Sequence, residues 1–94
     1  MYIKYKECIV NTDNVFDINI LSLEKKEDGM THNSENRCCI CFSRNYETYE
    51  RFFFDDSETT KSIFDKIDFD IRMKNDYLNV DTYLEKYKMD RGLF

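Results

Sequence analysis

The cysteines are the residues whose type and spacing come closest to a chemical site. Cys38, Cys39 and Cys41 lie close together, and Cys8 and His32 are the other soft metal ligands of the chain. A structural zinc ion needs four such ligands in a tetrahedral arrangement, usually from two closely spaced pairs. The clustered thiols fall in an apolar run that predicts a β-strand, which sends alternate side chains to opposite faces. Only Cys39 and Cys41 can therefore point together, which favours reduced, buried thiols and leaves a zinc-stapled domain as the alternative.

His32 is the only histidine, and no recognisable catalytic pattern surrounds it. A catalytic histidine needs a nucleophile or an orienting acid within reach. The chain carries no G-x-S-x-G, H-E-x-x-H or glycine-rich phosphate-binding motif. We therefore expect a protein that is not an enzyme and that uses no cofactor.

Charge and hydropathy limit the classes of partner. The chain has a formal net charge of −5 and no basic stripe, so it should repel both phosphate backbones and anionic membranes. No apolar run approaches the roughly 18 residues that span a bilayer, and the charged N-terminal run Met-Tyr-Ile-Lys-Tyr-Lys does not resemble a signal peptide. We expect a cytoplasmic protein with reduced thiols and without direct contacts to nucleic acid or membrane.

The length fits a single domain, residues 1–94, with one modest core. Alternating apolar and polar residues predict four strands. They run from Tyr2 to Val10, from Val15 to Leu23, from Arg37 to Arg44 and from Thr48 to Phe54. The first two are expected to form a hairpin through an asparagine-rich turn, and the last two a second hairpin through residues 45–46. The polar run 24–36 between the hairpins is predicted to be a mobile loop.

Two helices are predicted after the strands. Asp56 or Ser57 can cap the first, because a side-chain oxygen there accepts a hydrogen bond from the first turn, and Asn79 or Asp81 can cap the second. Apolar residues fall on one side of the first helix, which is expected to end near Asp68. Strands followed by helices indicate an α+β domain. We predict an antiparallel β-meander of about four strands, with one helix packed on its face and a second, C-terminal helix.

Both faces of the predicted sheet carry apolar residues. The face under the first helix would hold Ile3, Phe16, Ile18, Ile40, Phe42, Phe52 and Phe54. The opposite face would hold Tyr2, Leu21, Leu23, Cys39, Cys41, Tyr49 and Phe53. The second helix, with its stripe of Tyr83, Leu84 and Tyr87, is one candidate to cover that opposite face. If it does not, the exposed aromatic patch predicts a homodimer or a protein partner.

Acidic residues follow directly after the fourth strand and extend this surface. Asp55, Asp56 and Glu58 lie next to Tyr49 and Phe53 in the chain, and a negative surface of this kind can imitate a phosphate track toward a basic partner. Interleaved lysines and arginines make a solvated helix face the alternative. We predict that Tyr49, Phe53, Asp55, Asp56 and Glu58 form the partner-binding site.

The opening of the chain carries a resemblance. The segments Ile3-Lys4 and Ile9-Val10-Asn11-Thr12-Asp13-Asn14-Val15 resemble a class of short proteins from phages and low-GC bacteria. Those chains begin with a strand, an N-T-D-N turn and a second strand, and they end with a capped helix after an apolar strand. The resemblance implies a small β-meander with a helix, no enzymatic activity, and a phage or mobile-element origin. Small acidic proteins from such sources are often inhibitors of host defence, including anti-CRISPR proteins.

Three hypotheses about function follow. The leading one is a non-enzymatic protein-binding module, such as a phage-encoded inhibitor of a host nuclease or a CRISPR-type defence complex. The second is a small-molecule or nucleotide-binding protein that acts at a subunit interface, where Arg37, Arg44 and Arg51 would cluster. The third is the zinc-stapled structural domain, whose melting temperature would fall when a chelator removes the metal.

Overall fold

A computed structural model of the chain describes residues 1–23, 37–44 and 47–92. The strands are β1 (Tyr2–Tyr5), β2 (Cys8–Asn11), β3 (Asp17–Leu23), β4 (Arg37–Arg44), β5 (Glu47–Phe54) and β6 (Tyr77–Asn79). The helices are α1 (Ser57–Arg72) and α2 (Val80–Asp90), and a short 3-10 helix covers Thr12–Asn14. This arrangement confirms the predicted α+β class. It also confirms the helix on the sheet and the second helix at the C-terminal end, because α1 packs on β3, β4 and β5.

The strands form two small sheets instead of one meander. The N-terminal sheet has the order β2-β1-β6 and the central sheet has the order β3-β4-β5. β1 pairs antiparallel with β2 but parallel with β6, so the described strands are not all antiparallel as predicted. β6 is three residues long, and so short a strand shows no alternation that could reveal it in the sequence.

The predicted first strand is in fact a hairpin. The chain reverses at Lys6 and Glu7, and Tyr5 pairs with Cys8 across a two-residue turn. Lys6 has a φ of 55°, which such a turn requires and which glycine adopts at least cost. No glycine therefore marks the turn. A hydrogen bond of 2.7 Å from the Lys6 backbone N–H to the Asp81 carboxylate stabilises the turn instead.

The predicted first hairpin does not form. β3 pairs with β4 over its whole length, from Asp17 opposite Ser43 to Leu23 opposite Arg37. The asparagine-rich turn exists as the 3-10 helix, where the Asn11 side chain accepts a hydrogen bond from the Asp13 N–H, but it links the two sheets. The reversal at Lys6 and this link leave Ile9 and Phe16 exposed.

The prediction that Phe16 belongs to the core is therefore wrong, because 79% of its surface is exposed. The other predicted core residues of the central sheet pack as expected, with Phe42 and Phe52 in an edge-to-face contact of 4.8 Å between ring centroids. Both sheets and both helices supply one buried cluster. It contains Ile3, Tyr5, Val10, Ile40, Phe42, Phe52, Phe54, Ile63, Ile67, Leu78 and Val80.

Asp56, one of the two predicted candidates, caps α1. Its carboxylate accepts hydrogen bonds from the Thr59 N–H at 2.6 Å and from the Thr59 hydroxyl at 3.0 Å, while Ser57 is the first helical residue. Asn79 caps α2 in the same way, through the Thr82 N–H at 3.1 Å. α1 extends past its predicted end to Arg72 and exposes the ring of Phe69.

Asp70 is the one charged residue among the buried positions of the described chain. Its carboxylate accepts hydrogen bonds from the Lys66 ammonium at 3.0 Å and from the Asn75 side-chain amide at 2.9 Å. The Asp70 carbonyl also accepts the Asn75 N–H. Asp70 therefore joins the last turns of α1 to the segment that leads into β6.

Substitution of each candidate residue tests which of the two, Asp56 or Ser57, caps the N-terminus of α1. We expect Asp56→Ala to lower the free energy of unfolding by about 1 to 2 kcal/mol, because two donors of the first turn lose their acceptor. Ser57→Ala should change it by less than about 0.5 kcal/mol, since an exposed residue outside such a feature contributes little. Urea unfolding followed by circular dichroism measures both. Equal losses in the two variants would contradict this assignment.

The buried Asp70 pair should matter far more than an exposed pair on the same helix. We expect Asp70→Ala to cost about 2 kcal/mol or more, because Lys66 and Asn75 both lose a buried acceptor. Asp68 forms an exposed ion pair with Arg72 at the same spacing, so Asp68→Ala is the matched control and should cost less than about 0.5 kcal/mol. Chemical unfolding of both variants under the same conditions decides the comparison.

Candidate binding cleft

A cleft of about 240 Å³ opens where the end of β5 meets the β1–β2 turn and one side of α2. Three of the predicted contact residues, Phe53, Asp55 and Asp56, line it. The remaining charged residues around it are Lys6, Asp81 and Lys88. We call this feature the Asp55 cleft. These predicted residues lie at the cleft because they surround the strand-to-helix junction, where the chain leaves the sheet at Phe54 and begins α1 at Ser57.

Tyr5 forms one wall of the Asp55 cleft. Its ring packs 5.1 Å from that of Phe52 and 5.0 Å from that of Phe54, and its hydroxyl donates a 3.0 Å hydrogen bond to the Phe53 carbonyl. Burial raises the pKa of Tyr5, and the negative charges of Asp81 and Asp55 raise it further. At neutral pH the phenol is therefore a fixed hydrogen-bond donor and not a base.

Two of the three carboxylates in the cleft have structural roles. Asp56 caps α1, as described above. Asp81 accepts the Lys6 N–H and lies 3.6 Å from the Lys4 ammonium, so it attaches the first turn of α2 to the β1–β2 turn. Asp55 differs from both. Its side chain is exposed and makes no hydrogen bond or ion pair within residues 1–23, 37–44 and 47–92.

Phe53 stands at the mouth of the cleft. It points away from the core, because its neighbours Phe52 and Phe54 are buried while 42% of its own surface is exposed. In the sheet it is paired with Cys39, which in turn is opposite Leu21. We call this side of the central sheet, which carries Cys39 and Cys41, the outer face. Phe53 therefore belongs both to the cleft and to the outer face.

The two other predicted contact residues lie outside the cleft. Tyr49 is on β5 and 43% exposed, at an irregularity where the register passes from Glu50 to Thr48 and leaves Tyr49 without an opposite residue. Glu58 is on the first turn of α1 and forms an ion pair with Arg91 beyond the end of α2. Of the five predicted contact residues, three therefore line the cleft. Tyr49 lies on the same strand as Phe53, and Glu58 is engaged in an ion pair.

The second helix does not cover the outer face. α2 packs mainly on β1 and α1, with Tyr83 and Leu84 against the core cluster and the Tyr83 hydroxyl 3.0 Å from that of Ser62. Leu21, Tyr49 and Phe53 remain partly exposed. Tyr2, which was predicted to share this face, belongs to the N-terminal sheet instead.

The predicted ligand clusters are also separated by the fold. Arg37 and Arg44 lie at opposite ends of β4, about 23 Å apart at about 3.3 Å per residue, so the expected arginine cluster does not form. The Cys8 thiol is exposed and donates to Glu50 at 3.6 Å. Within the described ranges no three His, Cys, Asp or Glu side chains are grouped to hold a metal ion, and His32 lies outside those ranges.

Only one pair of thiols shares a face, as the alternation predicted. The sulfur atoms of Cys39 and Cys41 are 3.6 Å apart on the outer face. Both residues are buried, and all four cysteines are free thiols.

No protein-family model matches the chain, and no curated protein or solved structure shows significant similarity to it. Among the described residues, neither helix has the length and apolar character needed to cross a membrane. The chemistry of the Asp55 cleft and of the outer face is therefore the basis on which a function can be inferred.

Sequence patterns did not reveal four of the residues that line the cleft. Tyr5 and Lys6 were predicted to lie within one continuous strand from Tyr2 to Val10, because the turn at Lys6 and Glu7 has no glycine. Asp81 and Lys88 lie on α2, far from Phe53 in the chain. Asp81 was recognisable as a candidate cap, but only the contact between α2 and the β1–β2 turn brings it to the cleft.

The Tyr5 hydroxyl provides a test of the cleft geometry. We expect Tyr5→Phe to lower the free energy of unfolding by about 1 kcal/mol near pH 7, through loss of its hydrogen bond. Because the pKa is raised in the folded state, the phenol stabilises the fold below its unfolded pKa of about 10 and this contribution is lost above it. The difference between wild type and Tyr5→Phe should therefore shrink as the pH rises above about 10. The exposed Tyr77 offers the control variant Tyr77→Phe, and a difference that does not change with pH would contradict the burial of Tyr5.

Proposed function

We propose that this protein is a non-enzymatic binding module that recognises a partner protein through the Asp55 cleft and the ring of Phe53 at its mouth. The observation that carries the proposal is the state of Asp55. It is a carboxylate without an intramolecular partner among the described residues, beside a half-exposed aromatic ring and a cavity of about 240 Å³. Most other acidic groups nearby are already engaged by the fold.

The partner group that fits best is a lysine or arginine side chain. Asp55 would accept a charge-assisted hydrogen bond from it, and Phe53 offers an aromatic face for the cation. Leu84 supplies an apolar wall for the aliphatic stem. Lys6 does not compete for Asp55, because its ammonium lies 5.3 Å from the centre of the Tyr5 ring. The net charge of −5 would speed the approach of a basic surface.

Tyr49 would extend this contact along β5. Its exposed ring lies on the same strand as Phe53, and Tyr is enriched among the residues that carry most of the energy of protein interfaces.

The hydroxyl groups of the cleft favour recognition over nucleophilic chemistry, because Tyr5 donates to a backbone carbonyl and Thr59 donates to Asp56.

A narrower form of the proposal is inhibition of a host nuclease or defence complex. Such proteins present basic surfaces to nucleic acid, and an acidic surface with an aromatic anchor is complementary to them. The resemblance of the N-terminal segment to short phage proteins supports this form. In that role the protein would occupy the surface that the nucleic acid otherwise contacts.

Affinity capture with matched variants tests the proposal. Tagged wild-type protein is incubated with a lysate of the cells that carry the gene, and bound proteins are quantified by mass spectrometry. We expect a partner whose recovery falls at least tenfold with the double variant Tyr49→Ala, Phe53→Ala, as expected for loss of aromatic anchors. Asp55→Asn should also reduce recovery, and it should reduce the sensitivity of the remaining binding to salt.

The control variants change the same residue types on another surface. Phe69→Ala removes an exposed ring from α1, and Asp68→Asn removes an exposed charge there. Both should capture the partner as the wild type does. If the Tyr49, Phe53 and Asp55 variants fold normally and capture the same proteins as these controls, the proposed site is wrong.

A further inference from the structure

The outer face carries two thiols that touch each other and that the proposed function does not use. Cys39 and Cys41 are two positions apart on β4, and their sulfur atoms are 3.6 Å apart. Cys39 is 0% exposed and Cys41 is 6% exposed. Cys39 lies opposite the half-exposed Leu21 and Phe53. Cys41 lies opposite Asn19 and Arg51, so the apolar surface borders the Cys39 side of the pair.

The spacing suits a single bridging atom better than a disulfide. Two residues apart on an extended strand, Cα atoms are separated by about 6.8 Å, the upper limit for a disulfide. A sulfur–sulfur bond of about 2.05 Å would therefore bend β4. An atom with bonds of about 2.3 Å to each sulfur spans the observed 3.6 Å at an angle of about 100° between the two bonds. An angle of about 100° is close to the bond angles that an atom bonded to two sulfur ligands adopts, so β4 would not need to move.

The number and charge of the ligands determine which atom can bridge them. A divalent zinc or cadmium ion needs four donors and binds thiolates, but within the described chain no third donor joins this pair. Two buried thiolates would also be costly without a compensating charge. Burial and the neighbouring Cys41 thiol raise the pKa of Cys39 to about 11, so the thiol is neutral at physiological pH.

We propose that Cys39 and Cys41 form a two-thiol binding site for trivalent arsenicals. An organoarsenic oxide reacts with two neutral thiols to form two arsenic–sulfur bonds. Both thiol protons leave with the oxide oxygen as one molecule of water, and no atom changes its oxidation state. The product is uncharged, which suits a buried site, and it needs no further ligand from the protein. Leu21 and Phe53 would flank the organic substituent.

Phenylarsine oxide is the probe that tests this site on the intact, reduced protein. With one equivalent of the oxide and an excess of glutathione, which removes arsenic held by single thiols, native mass spectrometry should show one adduct per chain. Its mass gain should be that of one phenylarsenic group less two hydrogen atoms. The melting temperature should rise with the concentration of the oxide, because the ligand binds the folded state.

Variants identify the thiols involved. Cys39→Ala and Cys41→Ala should each reduce the adduct at least tenfold, while Cys8→Ser, which removes the exposed thiol, should leave it unchanged. An adduct that survives Cys39→Ala, or that depends on Cys8, would overturn the proposal. The wild type alone also decides the question if a variant does not fold. A melting temperature that falls with added oxide would show that only unfolded thiols react, and the proposal would then be wrong.

Discussion

The side chain of Tyr5 joins the two sheets of this protein through both its ring and its hydroxyl group. It leaves the N-terminal sheet at the end of β1 and places its ring against Phe52 and Phe54 of the central sheet. Its hydroxyl donates a hydrogen bond to the Phe53 carbonyl on β5. Because each sheet has three strands in the described part of the chain, neither could bury a core alone, and their shared cluster of apolar residues is what a domain of this size needs. The Asp55 cleft exists because this junction brings the β1–β2 turn close to the end of β5.

The acidic residues near this junction divide into two groups according to what the fold requires of them. Asp56, Asp81 and Glu58 each satisfy a specific donor: the first turn of α1, the Lys6 N–H, and the Arg91 guanidinium. Such groups contribute to stability and are poorly available to a partner. Among the described residues Asp55 has no comparable partner, although it lies between a strand and a helix cap. A carboxylate that the fold does not use, next to an exposed ring, is the kind of group that binding can use.

The central strand β4 has apolar residues on both of its faces, and the two faces serve different purposes. Ile40 and Phe42 contact α1 and the core on one side. Cys39 and Cys41 are buried on the other side, where small thiols pack without needing strong hydrogen-bond partners. A strand of this type cannot show the clean alternation of a sheet with one solvated face. Because side chains alternate between the two faces of β4, Cys38 lies on the opposite face from Cys39 and Cys41, which contact each other on the outer face.

Local patterns in the sequence determined the elements whose formation depends on near neighbours. The strands β4 and β5, the start of α1 at a cap of Asp56 or Ser57, and the start of α2 could be predicted from alternation, helical spacing and side-chain oxygens, because those signals act over a few residues. The same signals placed Phe53 and Asp55 together at the strand-to-helix junction. Only the tertiary structure decided that the first strand turns back at Lys6, that β6 pairs with β1, and that Tyr5 and Asp81 complete the cleft. A lysine in a positive-φ turn has no sequence signature, and pairing between the ends of the chain depends on which apolar faces can be buried together.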